Sequence, residues 1–362
     1  MEVLAYISLA YLAVRLVVVL VNLFSRSYLP NAEPRKMPRI SVLIPARNEE
    51  ANIGSLLDDI KRVNYPDLQI LVYDDDSKDR TAEIVSEQSR TDSRIGYLKS
   101  NGLPEGWLGK NHACDRLARL ADGEYLLFLD ADVRVNPNLL PDSIAFMEKH
   151  NLSLLSIFPV QIMKSFGEWL TVPLMNRILI GNLPLFLVRR SRLSSFAAAN
   201  GQFMFFKADI YKKHRFHEEF RNEKVEDIRI IRMMKQQRYH VSTLLSAGQI
   251  SCRMYQDYRD GINGFSKNIH AFFGKNWLIL LIYNVLTMFG PFAVWMTFSW
   301  RELLLYIFAL IVFSALVSVL SNQSVWRNVI FMPVQQFSVL LISMLAAYRH
   351  LTGSFTWKER KI

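Results

Sequence analysis

Four stretches of the chain, 3–24, 277–298, 303–320 and 329–347, are apolar almost without interruption, while the segment between the first and second mixes apolar and polar residues in regular patterns. A bilayer core needs about 20 apolar residues of helix to span it, and each stretch comes near that length. The pattern predicts an N-terminal transmembrane anchor over 1–25, a water-exposed domain over 38–270, transmembrane helices over 276–349 and a basic tail over 350–362. Within the domain, 39–45 is a short apolar run ending in Pro45, and Ile53, Leu56, Leu57, Ile60 and Val63 then recur at helical spacing. The same alternation returns with strands expected over 69–73, 94–98, 124–129 and 154–160, and with helices from about 79 and over 110–121 and 137–150. Strands alternating with helices call for a mainly parallel, doubly wound α/β sheet, whose ligands bind beyond the carboxyl ends of the strands.

The segment 164–192 breaks this alternation. It mixes Phe166, Trp169, Leu170, Leu174 and Met175 with Pro173 and Pro184 and closes on Arg189-Arg190-Ser191-Arg192. Too broken to span, it suits either a layer pressed against the membrane surface or an ordinary core element. Arg26, Arg35, Lys36 and Arg39 follow the first apolar stretch, which lacks a small-residue cleavage site and so reads as an uncleaved anchor. Positive charge there favours the cytoplasmic side for the domain and the outside for the N-terminus. Four crossings would then carry the basic tail outside, so one stretch is expected to lie in the interface or re-enter. Gly290-Pro291 marks a place where the second stretch can break. Arg15, in the middle of the first span, is expected to snorkel along a tilted helix.

The net charge of +10 fits attraction to anionic head groups. No nucleic-acid module accompanies it, so nucleic acid is not expected as a partner. Cys114 and Cys252 fall in a domain read as cytoplasmic, so no disulfide is expected.

The candidate chemistry gathers at the ends of the expected strands. Asp130-Ala131-Asp132 closes the strand 124–129, and alternation along the strand turns both carboxylates one way, a donor set suited to a divalent cation, Mg2+ or Mn2+, on phosphate oxygens. Asp74-Asp75-Asp76-Ser77 ends the second strand and Pro45-Ala46-Arg47-Asn48-Glu49-Glu50 the first; in a doubly wound sheet these ends share one crevice, where an acidic residue can accept from a ribose hydroxyl or a base N–H. Ser77 and Asp79 also suit a helix cap. In Leu103–Lys110, Lys110 stands before a helix N-terminus, suited to a phosphate, and Trp107 can stack on a base or sugar. Glu226 and Asp227 open a helix after Val225 and supply a candidate base. Helix starts also favour acidic residues without any catalytic use. Asn200 and Gly201 mark the acceptor half.

Taken in order, PARNEE, DDDSKDRT, Asp130-Ala131-Asp132 and Val225-Glu226-Asp227 resemble glycosyltransferase family 2 over about 39–268. The resemblance implies the GT-A nucleotide-sugar-binding fold and transfer with inversion. It further implies Asp74 and Asp75 at the uracil or ribose, Asp130 and Asp132 at the cation and diphosphate, and Asp227 as the catalytic base; the reading of the residues themselves adds Pro45, Arg47, Glu49, Trp107 and Lys110 to the nucleotide-sugar site and Glu226 beside Asp227 as a catalytic acid. GWLGKNHAC, ANGQFMFF, VEDIRI and GFSKN are similar to the branch that glucosylates carotenoids, which implies a hexose, glucose from UDP-glucose, passing to a membrane lipid acceptor such as a carotenoid or apocarotenoid acid. Other lipids (a hopanoid, a diacylglycerol, a polyprenyl phosphate) and a non-catalytic binding protein are the alternatives. Polymer-making members carry Q-x-x-R-W; here Asp260 stands in the tryptophan position after Gln256 and Arg259, so processive synthesis is not expected. The tail departs as well, with Glu359 where glycine is usual.

Overall fold

The computed structural model describes residues 1–63, 65–354, 356–357 and 360–361; part of the expected basic tail over 350–362 lies outside the described residues. A long helix, α1 (Glu2–Ser25), leads into β1 (Ile40–Ala46), α2 (Ile53–Lys61), β2 (Leu68–Asp74), α3 (Thr81–Thr91), β3 (Ile95–Lys99), α4 (Gly109–Leu120) and β4 (Tyr125–Leu129). Then come β5 (Val133–Val135), α5 (Leu139–Lys149), β6 (Leu154–Phe158), β7 (Val160–Gln161), and three short helices, α6 (Phe166–Thr171), α7 (Pro173–Asn182) and α8 (Phe186–Arg190). The domain closes with β8 (Phe203–Lys207), α9 (Ala208–His214), α10 (Phe216–Glu219), α11 (Glu226–Gln236), β9 (Val241–Leu245), β10 (Ile250–Cys252) and α12 (Tyr258–Phe272).

The main sheet runs β3-β2-β1-β4-β8-β6-β9. Its first four strands are parallel, as right-handed βαβ units require. β8 enters antiparallel between β4 and β6. That strand was not anticipated, although Phe203-Met204-Phe205-Phe206 is the short apolar run of a strand covered on both faces. Both faces are indeed covered. Ile44, Ile70 and Leu127 pack with α2 and α5 on one side, and Leu43, Leu126 and Met204 pack with α4 and α11 on the other.

A third cluster joins α1 to α13 (Trp277–Thr297), α14 (Trp300–Leu320) and α16 (Met332–Thr352), with α15 (Val325–Ile330) between the last two. α1, α13 and α14 are the helices, among the described residues, that are long and apolar enough to cross a membrane. The stretch 329–347 is not among them: it is divided between the end of α15 and α16. α13 passes through Gly290 and Pro291 unbroken. Gly290 packs so closely that a Cβ would lie 2.8 Å from the Tyr306 hydroxyl and 3.0 Å from Ser8 Oγ. Arg15 does not snorkel. It is 4% exposed, donates to the Arg177 carbonyl at 3.2 Å and lies 4.1 Å from the Phe313 ring centroid, so its charge is held inside the bundle by a carbonyl and aromatic faces.

α7 packs against α1 and α14 rather than in the sheet domain. Asn22 fastens it there, donating to the carbonyls of Ile180 and Leu183 and accepting from the Leu185 amide. Cys114 and Cys252 are free and buried.

Candidate active site

The loops after β1 and β2 are laced together. The Asn48 amide donates to Ser77 Oγ, the Glu49 amide to Thr81 Oγ1, and the Glu50 amide to Asp79 Oδ2. In return Lys78 and Arg80 donate backbone N–H groups to Asn48 Oδ1 and Glu50 Oε2. Asn48 and Asp76 turn through the left-handed region, at φ of 51° and 57°, a conformation that Asn and Asp tolerate better than other side chains. Arg47 reaches over and donates to the carbonyls of Asp75 and Asp76. Asp79 also accepts from the amide and the hydroxyl of Thr81, so one side chain ties the first residue of α3 to the loop after β1.

This lacing places Pro45, Arg47, Glu49 and Asp75 on the wall of a cavity of about 1050 Å3, which Lys110, Asp130, Asp132, Asn200, Gly201, Glu226 and Asp227 also line. Asp74 and Trp107 are not on that wall. Asp74 is buried, accepting from the Ser77 amide and the Tyr97 hydroxyl, and Trp107 meets the edge of His112 at 5.5 Å between ring centroids.

Lys110 is the electrostatic centre of the site. Its Nζ lies 2.7 Å from Asp130 and 3.8 Å from Glu226, and it donates to the Gly201 carbonyl. Gly201 allows this approach, since a Cβ there would lie 3.2 Å from that Nζ. Asp227 accepts from the amides of Gly201 and Ile228 at 2.9 and 2.8 Å, which fixes its rotamer toward the Asn200–Gln202 turn. Burial pushes the Glu226 carboxyl up to about 7, against the pull of Lys110 and with the push of Asp227. Burial likewise raises Asp132 to about 7, and the nearby charges of Asp130 and Glu49 add to it. Carboxylates crowded this closely ionise fully only with added positive charge.

No three His, Cys, Asp or Glu side chains converge into a complete metal site among the described residues. Two aspartates fit a hard cation that completes its shell with diphosphate oxygens and water.

Several wall residues carried no role in the sequence reading. Asn111 donates to the carbonyls of Phe220, Arg221 and Glu223, tying the approach to α11 onto α4. Gln202 bridges Asp132 and the Cys252 sulfur. Lys224 and Lys267 face the cavity as well, and burial lowers both ammonium pKa values. Beyond these the cavity continues between α7 and α13, along Ile178, Leu179, Ile282, Tyr283 and Leu286, to Tyr11 of α1. One continuous space therefore joins the strand ends to the apolar helices.

A doubly wound half-sheet with acidic clusters at its strand ends, followed by the antiparallel β8 and an acidic helix start, is the architecture of the GT-A fold. The mannosyltransferase PcManGT from Pyrobaculum calidifontis, solved in complex with GDP-Man and Mn2+, has the same fold: it covers 97% of this chain and 100% of its own at a TM-score of 0.58 and 17% identity. Residues 41–215 match the family model described as Glycosyl transferase family 2. The 4,4'-diaponeurosporenoate glycosyltransferase of Staphylococcus haemolyticus is 26% identical over 254 residues, 68% of this chain and 66% of the relative. The GalNAc(5)-diNAcBac-PP-undecaprenol beta-1,3-glucosyltransferase of Campylobacter jejuni is 28% identical over 191 residues, 51% of this chain and 56% of the relative. The chain thus spans somewhat less than two thirds of the length of these relatives.

Proposed function

We propose that the protein is an inverting glycosyltransferase that moves a hexose, glucose from UDP-glucose, onto a membrane lipid, a carotenoid or apocarotenoid acid. The observation that carries this reading is the single cavity, acidic at the strand ends and apolar between α7 and α13. A water-soluble donor suits the first end and a lipid tail the second. The names of the relatives support a lipid acceptor, since they act on a carotenoid acid and on an undecaprenol diphosphate.

In this reading Asp75 receives the base or ribose, Arg47 holds the loop that presents it, and Lys110 steadies the phosphates together with the α4 N-terminus. Asp130 and Asp132 hold Mg2+ or Mn2+, which when bound neutralises the charge growing on the diphosphate leaving group. Asp227, oriented by Gly201 N–H, accepts the proton of a hydroxyl acceptor. With a carboxylic acceptor, already ionised near neutrality, it orients instead. Asn200 and Gly201 shape the acceptor half. α1, α13 and α14 anchor the enzyme as a multi-pass protein of the cell membrane, and Arg26, Arg35, Lys36 and Arg39 hold the domain on the cytoplasmic side.

Mass spectrometry of lipid extracts from cells with and without the protein tests this. A hexosylated carotenoid acid present only with the protein is expected. A hexosyl diacylglycerol or hexosyl polyprenyl phosphate in its place would move the acceptor assignment, and an unchanged lipid profile would oppose the reading.

A further inference from the structure

The fourth apolar stretch is placed unlike the other three. The spanning helices define two ends of the bundle. At the domain end, the hydroxyl of Tyr28, just past α1, donates to the Leu320 carbonyl at the close of α14, and Trp277 at the start of α13 stacks on His270 of α12 at 3.9 Å. At the far end, Phe298 between α13 and α14 meets Tyr6 of α1 at 5.3 Å.

α16 has 21 residues, about 31 Å of helix, enough to reach the far end. Both of its ends nevertheless stay with the domain. Near its start Gln335 donates to the Trp169 carbonyl of α6, and Ser338 hydrogen-bonds Tyr258 at the start of α12. Near its finish Arg349 donates to Asn263 and Ser266 of α12, and His350 packs against Trp277. It therefore runs beside α12, whose Asp260, Asn263 and Lys267 line the catalytic cavity, and it meets α13 less closely, through His350 at Trp277, Ser343 at Asn284 and Gln336 at Thr287, all in the half of α13 nearer the domain.

Its outer side is apolar. Val334, Phe337, Met344, Tyr348 and Leu351 are 45% to 85% exposed and fall within an arc of about 100° on the helical wheel, the width of a stripe that lies against an apolar phase. The exposed Phe166, Trp326 and Ile330 extend this surface over α6 and α15. Arg327 lies over Trp169 and Trp326 at 4.4 and 5.1 Å, the combination of flat aromatics and a long cation that a head-group layer accommodates.

We infer that α6, α15 and α16 form an in-plane layer docked into the lipid interface on the domain's side, so that the chain crosses the bilayer three times and returns its C-terminal end to that side. The inference rests on the membrane reading given above. It removes the charge conflict of four crossings, because an odd number brings the basic end back beside the domain. It also makes the lipid surface one boundary of the acceptor entrance, since α12 lies between this layer and the cavity.

The test uses the full-length protein in sealed membrane vesicles, with one added cysteine at a time: Lys212→Cys on the domain, Arg301→Cys at the far turn and Ser354→Cys after α16. Buried Cys114 and Cys252 give little background. A membrane-impermeant maleimide is expected to treat the Lys212 and Ser354 variants alike and the Arg301 variant oppositely. Labelling of the Ser354 variant together with the Arg301 variant would make α16 a fourth span and overturn the inference while leaving the membrane reading intact. Equal labelling at Lys212 and Arg301 would overturn the membrane reading itself. Spin labels at Val334→Cys, Phe337→Cys and Met344→Cys provide a second readout. For α16 in the plane, their depths agree within about 5 Å, whereas a spanning helix separates positions 334 and 344 by about 15 Å. Labels that sit in water would assign the stripe to a protein partner or a second copy and refute lipid docking.

Discussion

If Lys110 is the counter-charge that permits Asp130, Asp132, Glu226 and Asp227 to crowd one part of the cavity, replacing it by methionine exposes their repulsion. Breaking one member of a buried pair costs about 3–5 kcal/mol. The Lys110 and Asp130 side chains keep 28% and 25% of their surface exposed, and solvent screening trims that cost to about 2–3 kcal/mol. For a domain of this size each kcal/mol moves the midpoint by about 2–4 °C, so Lys110→Met should lower the melting temperature by about 4–12 °C. Tryptophan fluorescence of the detergent-purified protein, without nucleotide or cation, reads this directly. The loss should be larger at pH 8 than at pH 6, because Asp132 and Glu226, both raised to about 7, are protonated and uncharged at the lower pH. In an Asp130→Asn background the same substitution should cost about 1 kcal/mol less, as expected for coupled neighbours. An unchanged melting temperature, or an equal loss in the Asp130→Asn background, would refute this electrostatic account.

Asp227→Asn should leave UDP affinity within about twofold yet lower turnover with a hydroxyl acceptor by about 10²–10⁴, the usual contribution of general base catalysis; titration calorimetry and a radiolabel transfer assay separate the two. Asp132 must lose its proton to take a cation, so the apparent Mn2+ affinity should rise by up to about tenfold per pH unit as pH climbs toward 7 and level off above it, as read by Mn2+ paramagnetic resonance. The same raised carboxyls make the empty protein bind more protons folded than unfolded between about pH 4 and 7, so its stability falls as pH rises through that window and bound cation restores it. Leu286→Trp, placed in the apolar half of the cavity, should raise the KM for lipid acceptor several-fold without altering UDP binding.

Much of the sheet was legible in the sequence because its signals are local. Ile40–Ala46, Leu68–Asp74 and Tyr125–Leu129 are apolar runs bounded by polar turns, and the acidic clusters follow them as strand-end chemistry requires. β8 carried an equally apolar signal, but its antiparallel insertion depends on a long excursion through α6, α7 and α8 that no local pattern specifies. The places of Asp74 and Trp107 were not legible either. In Asp74-Asp75-Asp76 three identical side chains differ only in backbone direction, and Asp74, the last strand residue, turns to Tyr97 while Asp75 faces the cavity. Arg15 was misread for a related reason: an isolated span has no partner for a guanidinium, and the Arg177 carbonyl and the Phe313 ring arrive from helices far along the chain. Asn111 and Gln202 act by bonding to distant backbone and side chains, so residue type alone did not mark them.

The central claim is that one cavity, acidic at the strand ends and apolar toward the membrane helices, joins a nucleotide sugar to a lipid. Purified full-length protein, given tritiated UDP-glucose, Mn2+ and membrane lipid extract containing carotenoid acids, should move tritium into the organic phase. Asp132→Asn protein with a wild-type melting profile should move almost none. Tritium that stays in the aqueous phase with the wild type, or an Asp132→Asn variant as active as its parent, would contradict the account.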